Sequence, residues 1–290
     1  MVMGTIAKPL QFDSQGMTLA ARLFLPEAPV PAPILILCHG TGDFKEHYYE
    51  LGEYLANHGV GSFALDMRGH GESQGERFHV NIQDWVADIR AAVSFLSAMP
   101  EVDKNRIGAF GLSSGGTAIL EAALVEPRLK ALVALDPTVR NSLPWCATLI
   151  LKSLVGLGRF KKALTKKDLR LPLIKLFGGL EVVSDPDING RLNSDPKSIE
   201  AFMSFPLPGA AESFFVNTLK KVSGISIPAL VIWGEEDKFD PPKTAEMLFA
   251  ALTCKKKLQI IKGNGHAGHL DRHKDQVFAL TTDWALENLS

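Results

Sequence analysis

Ile107-Gly108-Ala109-Phe110-Gly111-Leu112-Ser113-Ser114-Gly115-Gly116 is the stretch on which the fold turns. Its first four residues are apolar or small, as a strand covered on both faces requires. The small residues from Ser114 towards Glu126 read as a helix. Between them lies Gly111-Leu112-Ser113-Ser114-Gly115, a G-x-S-x-G pentapeptide. With 25 Gly and 17 Ser in the chain, chance gives roughly 0.12 such matches, so the weight comes from the strand before it and the helix after it. A tight strand-to-helix turn would hold Ser113 in a strained conformation with its hydroxyl exposed, and the flanking glycines would let other backbone come close. The bland reading, a Gly/Ser loop that only caps the helix, gives that context no role.

Similar apolar runs occur on both sides: Ile34 to Cys38, Phe63 to Leu65, Ala131 to Leu135, Ala229 to Trp233 and Leu258 to Ile261. Amphipathic helices separate them. One carries Ile82, Trp85, Val86, Ile89, Val93 and Leu96 on a single stripe, and another runs from about Tyr48 to His58 and stops at Gly59. Six strands alternating with helices predict an α/β fold with a mostly parallel, helix-covered sheet. Pro9 to Phe12 and Leu19 to Leu25 flank Asp13-Ser14-Gln15-Gly16, which predicts an antiparallel hairpin at one edge and brings the sheet to eight strands.

The alternation fails between Asp136 and Pro228. From Thr138 to Leu180 there are nine Lys/Arg and one acid, Asp168; from Glu181 to Ser213 there are six acids and two bases. Residues 137–227 are therefore expected to be a mostly helical insertion, with 1–136 and 228–290 forming the core. Trp145, Leu149, Ile150, Leu154, Val155, Leu157 and Phe160 alternate there with Lys152, Arg159, Lys161 and Lys162. That spacing suggests an apolar face over the active site with the bases outside, and a possible contact with a membrane surface; an ordinary solvated basic face is the rival.

The 290 residues, 46% hydrophobic and 22% charged, exclude wholesale disorder and allow a full core without metals or disulfides. A net charge of −1 gives no global basic field for nucleic acid. Cys38, Cys146 and Cys254 are scattered and fit a reducing compartment. The amino terminus lacks a signal-peptide pattern and no apolar run approaches a membrane span, so a cytoplasmic protein is expected.

Ligands of open parallel sheets bind beyond the carboxyl ends of the strands. There the chain carries His39-Gly40-Thr41-Gly42, Asp66-Met67-Arg68-Gly69-His70-Gly71, the Ser113 turn, Asp136, Gly234-Glu235-Glu236-Asp237 and Gly263-Asn264-Gly265-His266. A serine hydroxyl needs a base near pH 7. His266 directly follows the last strand, with His269 and His273 as alternatives. An orienting carboxylate falls to Asp237, with Asp240 and Asp136 as alternatives. Backbone N–H groups of Thr41 and Ser114 are the candidate oxyanion donors. No phosphate loop or metal-ligand cluster is present, so cofactor-free chemistry with water as second substrate is expected.

These segments, in this order, resemble the α/β-hydrolase superfamily, and most of all its monoglyceride lipase, lysophospholipase and serine aminopeptidase-like branch. The resemblance covers about residues 20–136 and 228–285. It implies a triad of Ser113, Asp237 and His266, an oxyanion hole at Thr41 and Ser114, and a cap over an acyl pocket formed by the insertion. Asp66 and Arg68 are then structural. Thr41-Gly42 and Ser114 depart from lipase relatives, which leaves acyl specificity open. The implied activity is hydrolysis of a carboxylic ester, a monoacyl lipid or medium-chain ester. The alternatives are an aminopeptidase or amidase using Glu181, Asp185 or Asp187 to bind an amino terminus, and a non-catalytic receptor on a hydrolase fold.

Overall fold

The computed structural model describes residues 4–177 and 179–289. Ten strands occur among them: β1 (Thr5–Ser14), β2 (Met17–Pro26), β3 (Ala32–Cys38), β4 (Gly61–Leu65), β5 (Val102–Leu112), β6 (Leu129–Leu135), β7 (Leu169–Leu171), β8 (Phe205–Leu207), β9 (Ala229–Gly234) and β10 (Lys256–Ile261). All six apolar runs are strands of one eight-stranded sheet in the order β1-β2-β4-β3-β5-β6-β9-β10. β1 and β2 form the expected antiparallel hairpin, β2 pairs antiparallel with β4, and the pairs from β4 through β10 are parallel.

Every residue of β3 is buried because the sheet is covered on both faces. Ile34, Ile36 and Cys38 join the core under α2 (Ile82–Ser97), α3 (Ser114–Ala122) and α8 (Lys243–Ala251). Leu35 and Leu37 point the other way, into the core with α1 (Tyr49–Asn57) and α9 (Lys274–Asn288). Each such side chain contributes about 1.5–3 kcal/mol by leaving water. Asn81 fixes the start of α2 by accepting from the amides of Gln83 and Asp84. Because β3, β5, β6, β9 and β10 run the same way, their carboxyl ends share one edge of the sheet.

Residues 137–227 leave the sheet after β6 and return at β9. They contain α4 (Trp145–Thr165), α5 (Leu173–Phe177), α6 (Pro186–Ser194) and α7 (Pro196–Met203). They also hold the short antiparallel pair β7–β8, which three-residue strands, one with Pro206 at its centre, leave without a periodic signal. Polar links tie this segment to the core: Lys162 to Glu76 at 2.7 Å, Lys197 to Glu46 at 2.6 Å, Arg77 to Glu200 at 3.0 Å and His79 to Asp168 at 2.9 Å.

The expectation that the α4 apolar row covers the site is not met. Trp145, Leu149, Ile150, Leu157 and Phe160 are exposed, Trp145 by 80%. The inward face carries Val155 and Gly158. A Cβ on Gly158 would lie 2.2 Å from the Leu207 carbonyl oxygen, so close contact with β8 fixes the rotation of the helix and turns the large side chains outward. The bases are not simply outside either, since Lys162 bridges to the core. No helix among the described residues is long and apolar enough to cross a membrane.

Candidate active site

β5 ends at Leu112 and α3 starts at Ser114, so Ser113 alone makes the turn. It does so at φ 52°, ψ −119°, a region that L-residues occupy at a cost. The glycines around it are required by contact. A Cβ on Gly111 would lie 2.5 Å from the Gly115 backbone, and one on Gly115 would lie 2.4 Å from the carbonyl oxygens of Cys38 and His39. The turn is thus packed directly against the end of β3.

That neighbouring end carries the Thr41 loop, which two buried histidines brace. His39 accepts from the Met67 amide at 2.9 Å, and His70 accepts from the Gly42 amide at 3.2 Å. Burial holds both rings below the ordinary histidine value, so they stay neutral acceptors. The Gly42 amide is therefore engaged, whereas the Thr41 and Ser114 amides donate to no other group among the described residues. Their side chains are hydrogen-bonded to each other, Oγ1 to Oγ at 2.8 Å. Asp66, fully buried, pairs with Lys45 at 2.6 Å, and Arg68 pairs with buried Asp88 at 2.7 Å. Both ion pairs tie the Asp66–Arg68 segment to neighbouring elements.

His266 Nδ1 donates to Asp237 Oδ2 at 2.8 Å. Two amides, of Phe239 at 2.7 Å and Asp240 at 3.1 Å, donate to the other carboxylate oxygen and fix its plane. Burial works against a charge on His266, but Asp237 first, then Asp240 and Asp43, outweigh it and raise its pKa. The alternatives are engaged otherwise. His269 is buried and stacked on Tyr48 at 4.4 Å, with neither ring nitrogen partnered, and His273 precedes α9. Asp240 accepts from Thr138 at 2.8 Å and Ser142 at 3.1 Å. Asp136 accepts from the Gly234 amide at 2.8 Å.

The hydroxyl of Ser113 is 3.5 Å from Thr138 Oγ1 and makes no hydrogen bond with His266. The two groups nevertheless share walls. Thr41, Ser113 and His266 line both a cavity of about 90 Å³ and a second of about 470 Å³. Apolar residues of the insertion, including Leu173, Leu180, Val182, Phe202, Phe205 and Phe214, supply much of the larger wall. Asp43 and His47 line the smaller one. Asp43 accepts from His47 at 2.5 Å and from Tyr48 at 2.9 Å. Burial opposes the charge on Asp43, but His47 beside it holds its carboxyl well below the usual range. Sequence reasoning missed this group and Thr138; an acid and a histidine four residues apart, just after a strand carrying site residues, were the available signal.

Glu181, Asp185 and Asp187 line neither cavity. Glu181 is exposed and paired with Lys238, and Asp185 caps α6. Among the described residues no group of His, Cys, Asp and Glu is arranged to hold a metal ion.

A family model described as serine aminopeptidase, S33, matches residues 29–273. The chain is similar to human monoglyceride lipase, 27% identical with 90% of this chain and 84% of the relative covered. It is also similar to the quorum-quenching protein AidA of Acinetobacter baumannii, 25% identical over 81% and 80% of the two chains. The crystal structure of Paleococcus ferrophilus monoacylglycerol lipase superposes with a TM-score of 0.70 at 22% identity, covering 99% of this chain and all of that one.

Proposed function

The chain belongs to the serine aminopeptidase S33 family of α/β-hydrolases, and from that premise we propose that it cleaves carboxylic esters, of a monoacyl lipid or a medium-chain acid, through an acyl-enzyme on Ser113. One observation carries the reading: Ser113, on its strained turn, shares the walls of two cavities with His266, whose far nitrogen is held by buried Asp237.

In this mechanism Ser113 Oγ swings from Thr138 towards His266 Nε2, gives up its proton and attacks the carbonyl carbon. Asp237 keeps Nδ1 protonated, so Nε2 is the free base, and it stabilises the imidazolium that forms. The unengaged amides of Thr41 and Ser114 receive the oxyanion, each worth about 2.7–4 kcal/mol in the transition state. His266 then protonates the leaving alcohol, and water enters by the reverse path. The insertion acts as a cap, its apolar residues enclosing the acyl chain in the larger cavity. The aminopeptidase reading loses its support because the three cap carboxylates lie outside both cavities.

Ser113→Ala is expected to abolish turnover of p-nitrophenyl esters with an unchanged circular dichroism spectrum. A series from acetate to palmitate should peak at intermediate chain length. Turnover at the wild-type level in the alanine variant refutes the assignment.

A further inference from the structure

Three carboxylates meet at the carboxyl ends of β6 and β9, and only one of them touches His266. Asp136 is the first residue after β6, and Leu135 pairs with Ile232 in the register that sets β6 beside β9. The Asp136 amide donates to the Ile232 carbonyl at 3.0 Å. The residue is fully buried and its φ is 43°, in the left-handed region that an L-residue enters only when its surroundings hold it there. Oδ1 accepts from the Gly234 amide at 2.8 Å. Oδ2 is buried and receives no donated hydrogen bond, and after burial the Asp237 carboxylate is the strongest influence on the carboxyl.

A fully buried carboxyl with one oxygen lacking any donor, sharing a dry site with a second carboxylate, cannot stay ionised beside it. Asp237 already accepts two amide hydrogen bonds and one from an imidazole, all of which favour its charge. Asp136 has one amide donor and no imidazole. The proton therefore belongs on Asp136. Its pKa is pushed well above the carboxylate range, by burial first and then by the charges of Asp237 and Asp240, with the Gly234 amide pulling the other way.

We propose that Asp136 is a positioning residue whose neutral carboxyl donates from Oδ2 to the Asp237 carboxylate, fixing that carboxylate against His266 and moderating its basicity. The catalytic consequence rests on the triad reading above; the location of the proton does not.

The test has a spectroscopic and a kinetic part. At neutral pH the infrared difference spectrum between wild type and Asp136→Asn should contain the carbonyl stretching band of a protonated carboxylic acid. No such band overturns the proposal, whatever the enzyme hydrolyses. Asparagine keeps both contacts, an oxygen for the Gly234 amide and an N–H for Asp237. Asp136→Asn should therefore hold kcat and the pH profile within about twofold of wild type, because hydrogen bonding is preserved. Asp136→Ala removes the donor. It should lower kcat about tenfold to a hundredfold with little change in KM, the range for losing a hydrogen bond to a charged group. It should also move the acid limb of kcat/KM to higher pH, since a carboxylate stripped of a donor binds the imidazolium more strongly. A folded Asp136→Asn enzyme as impaired as the alanine variant overturns the proposal, and if alanine unfolds the chain, the band and the asparagine kinetics still decide. Full activity in Ser113→Ala with the band present would sink the triad and leave the proton where it is placed here.

Discussion

Ser113→Gly should make the protein more stable than Ser113→Ala, although both variants are expected to be inactive. Ser113 sits at φ 52°, ψ −119°, and a non-glycine residue held in such a region costs about 1–3 kcal/mol. Alanine keeps that strain and glycine removes it. Against the gain, glycine gives the unfolded chain more freedom, which costs about 0.5–1 kcal/mol. The difference is about 1 kcal/mol in favour of glycine, or about 2 °C in melting temperature for a chain of this length. Comparing the two variants with each other isolates the backbone effect, because both lack the hydroxyl. Removing the hydroxyl itself should matter little to stability: its hydrogen bond to Thr138 is long, at 3.5 Å, and it does not cap α3. Parallel urea titrations at neutral pH give the numbers. A glycine variant equal to or less stable than the alanine variant would mean that the turn stores no strain, and the account of how the nucleophile is presented would fail.

Two further perturbations probe the acid and the histidines. Asp237→Asn should lower kcat about a thousandfold or more and shift the acid limb of kcat/KM downward. In the wild type that limb is expected above the ordinary histidine value, because Asp237 leads the charges that raise His266 against its burial; a pH–rate profile measures both effects. His269 is held by burial down to about 4, against 6.5 for a free histidine. Above 6.5 neither state is charged, but between 6.5 and about 4 the unfolded chain takes a proton that the folded one refuses. Stability is then lost at ~1.36 kcal/mol per pH unit, about 3 kcal/mol over the window. His269→Phe should flatten this decline in urea titrations spanning the window, and an unchanged slope would exclude His269 as its source.

The sheet was legible because its strands are covered on both faces. Ile34 to Cys38 is apolar at every position, and that pattern needs no knowledge of what covers it; the structure divides the run between two cores by alternation. The insertion was legible only as an interruption. β7 and β8 are too short for periodicity to register. The outward rotation of α4 was hidden because it depends on Gly158 meeting a carbonyl of β8, a contact between residues 49 positions apart. Hydrophobicity alone made the Trp145 to Phe160 row look like the buried face. Most of that row faces outward instead, with Leu154 and Val155 turned inward, because helix rotation follows closest backbone approach when a glycine permits it.

The site shows the same division between what position encodes and what contact decides. Strand ends locate Ser113, Asp136, Asp237 and His266 along one edge, so each candidate was visible as the residue after an apolar run. Position did not choose among the acids. Asp136, at the end of β6, and Asp237, three residues past β9, are both near enough to the loop that carries His266. What separates them is donors. The turn after β9 bends the amides of Phe239 and Asp240 onto Asp237, while Asp136 receives only the Gly234 amide and keeps one oxygen without a donor. A carboxylate in a dry site carries its charge where N–H groups converge. The acid that can remain ionised beside an imidazolium is therefore fixed by the loop's backbone path, a property of the sequence between Gly234 and Asp240 rather than of the aspartates themselves.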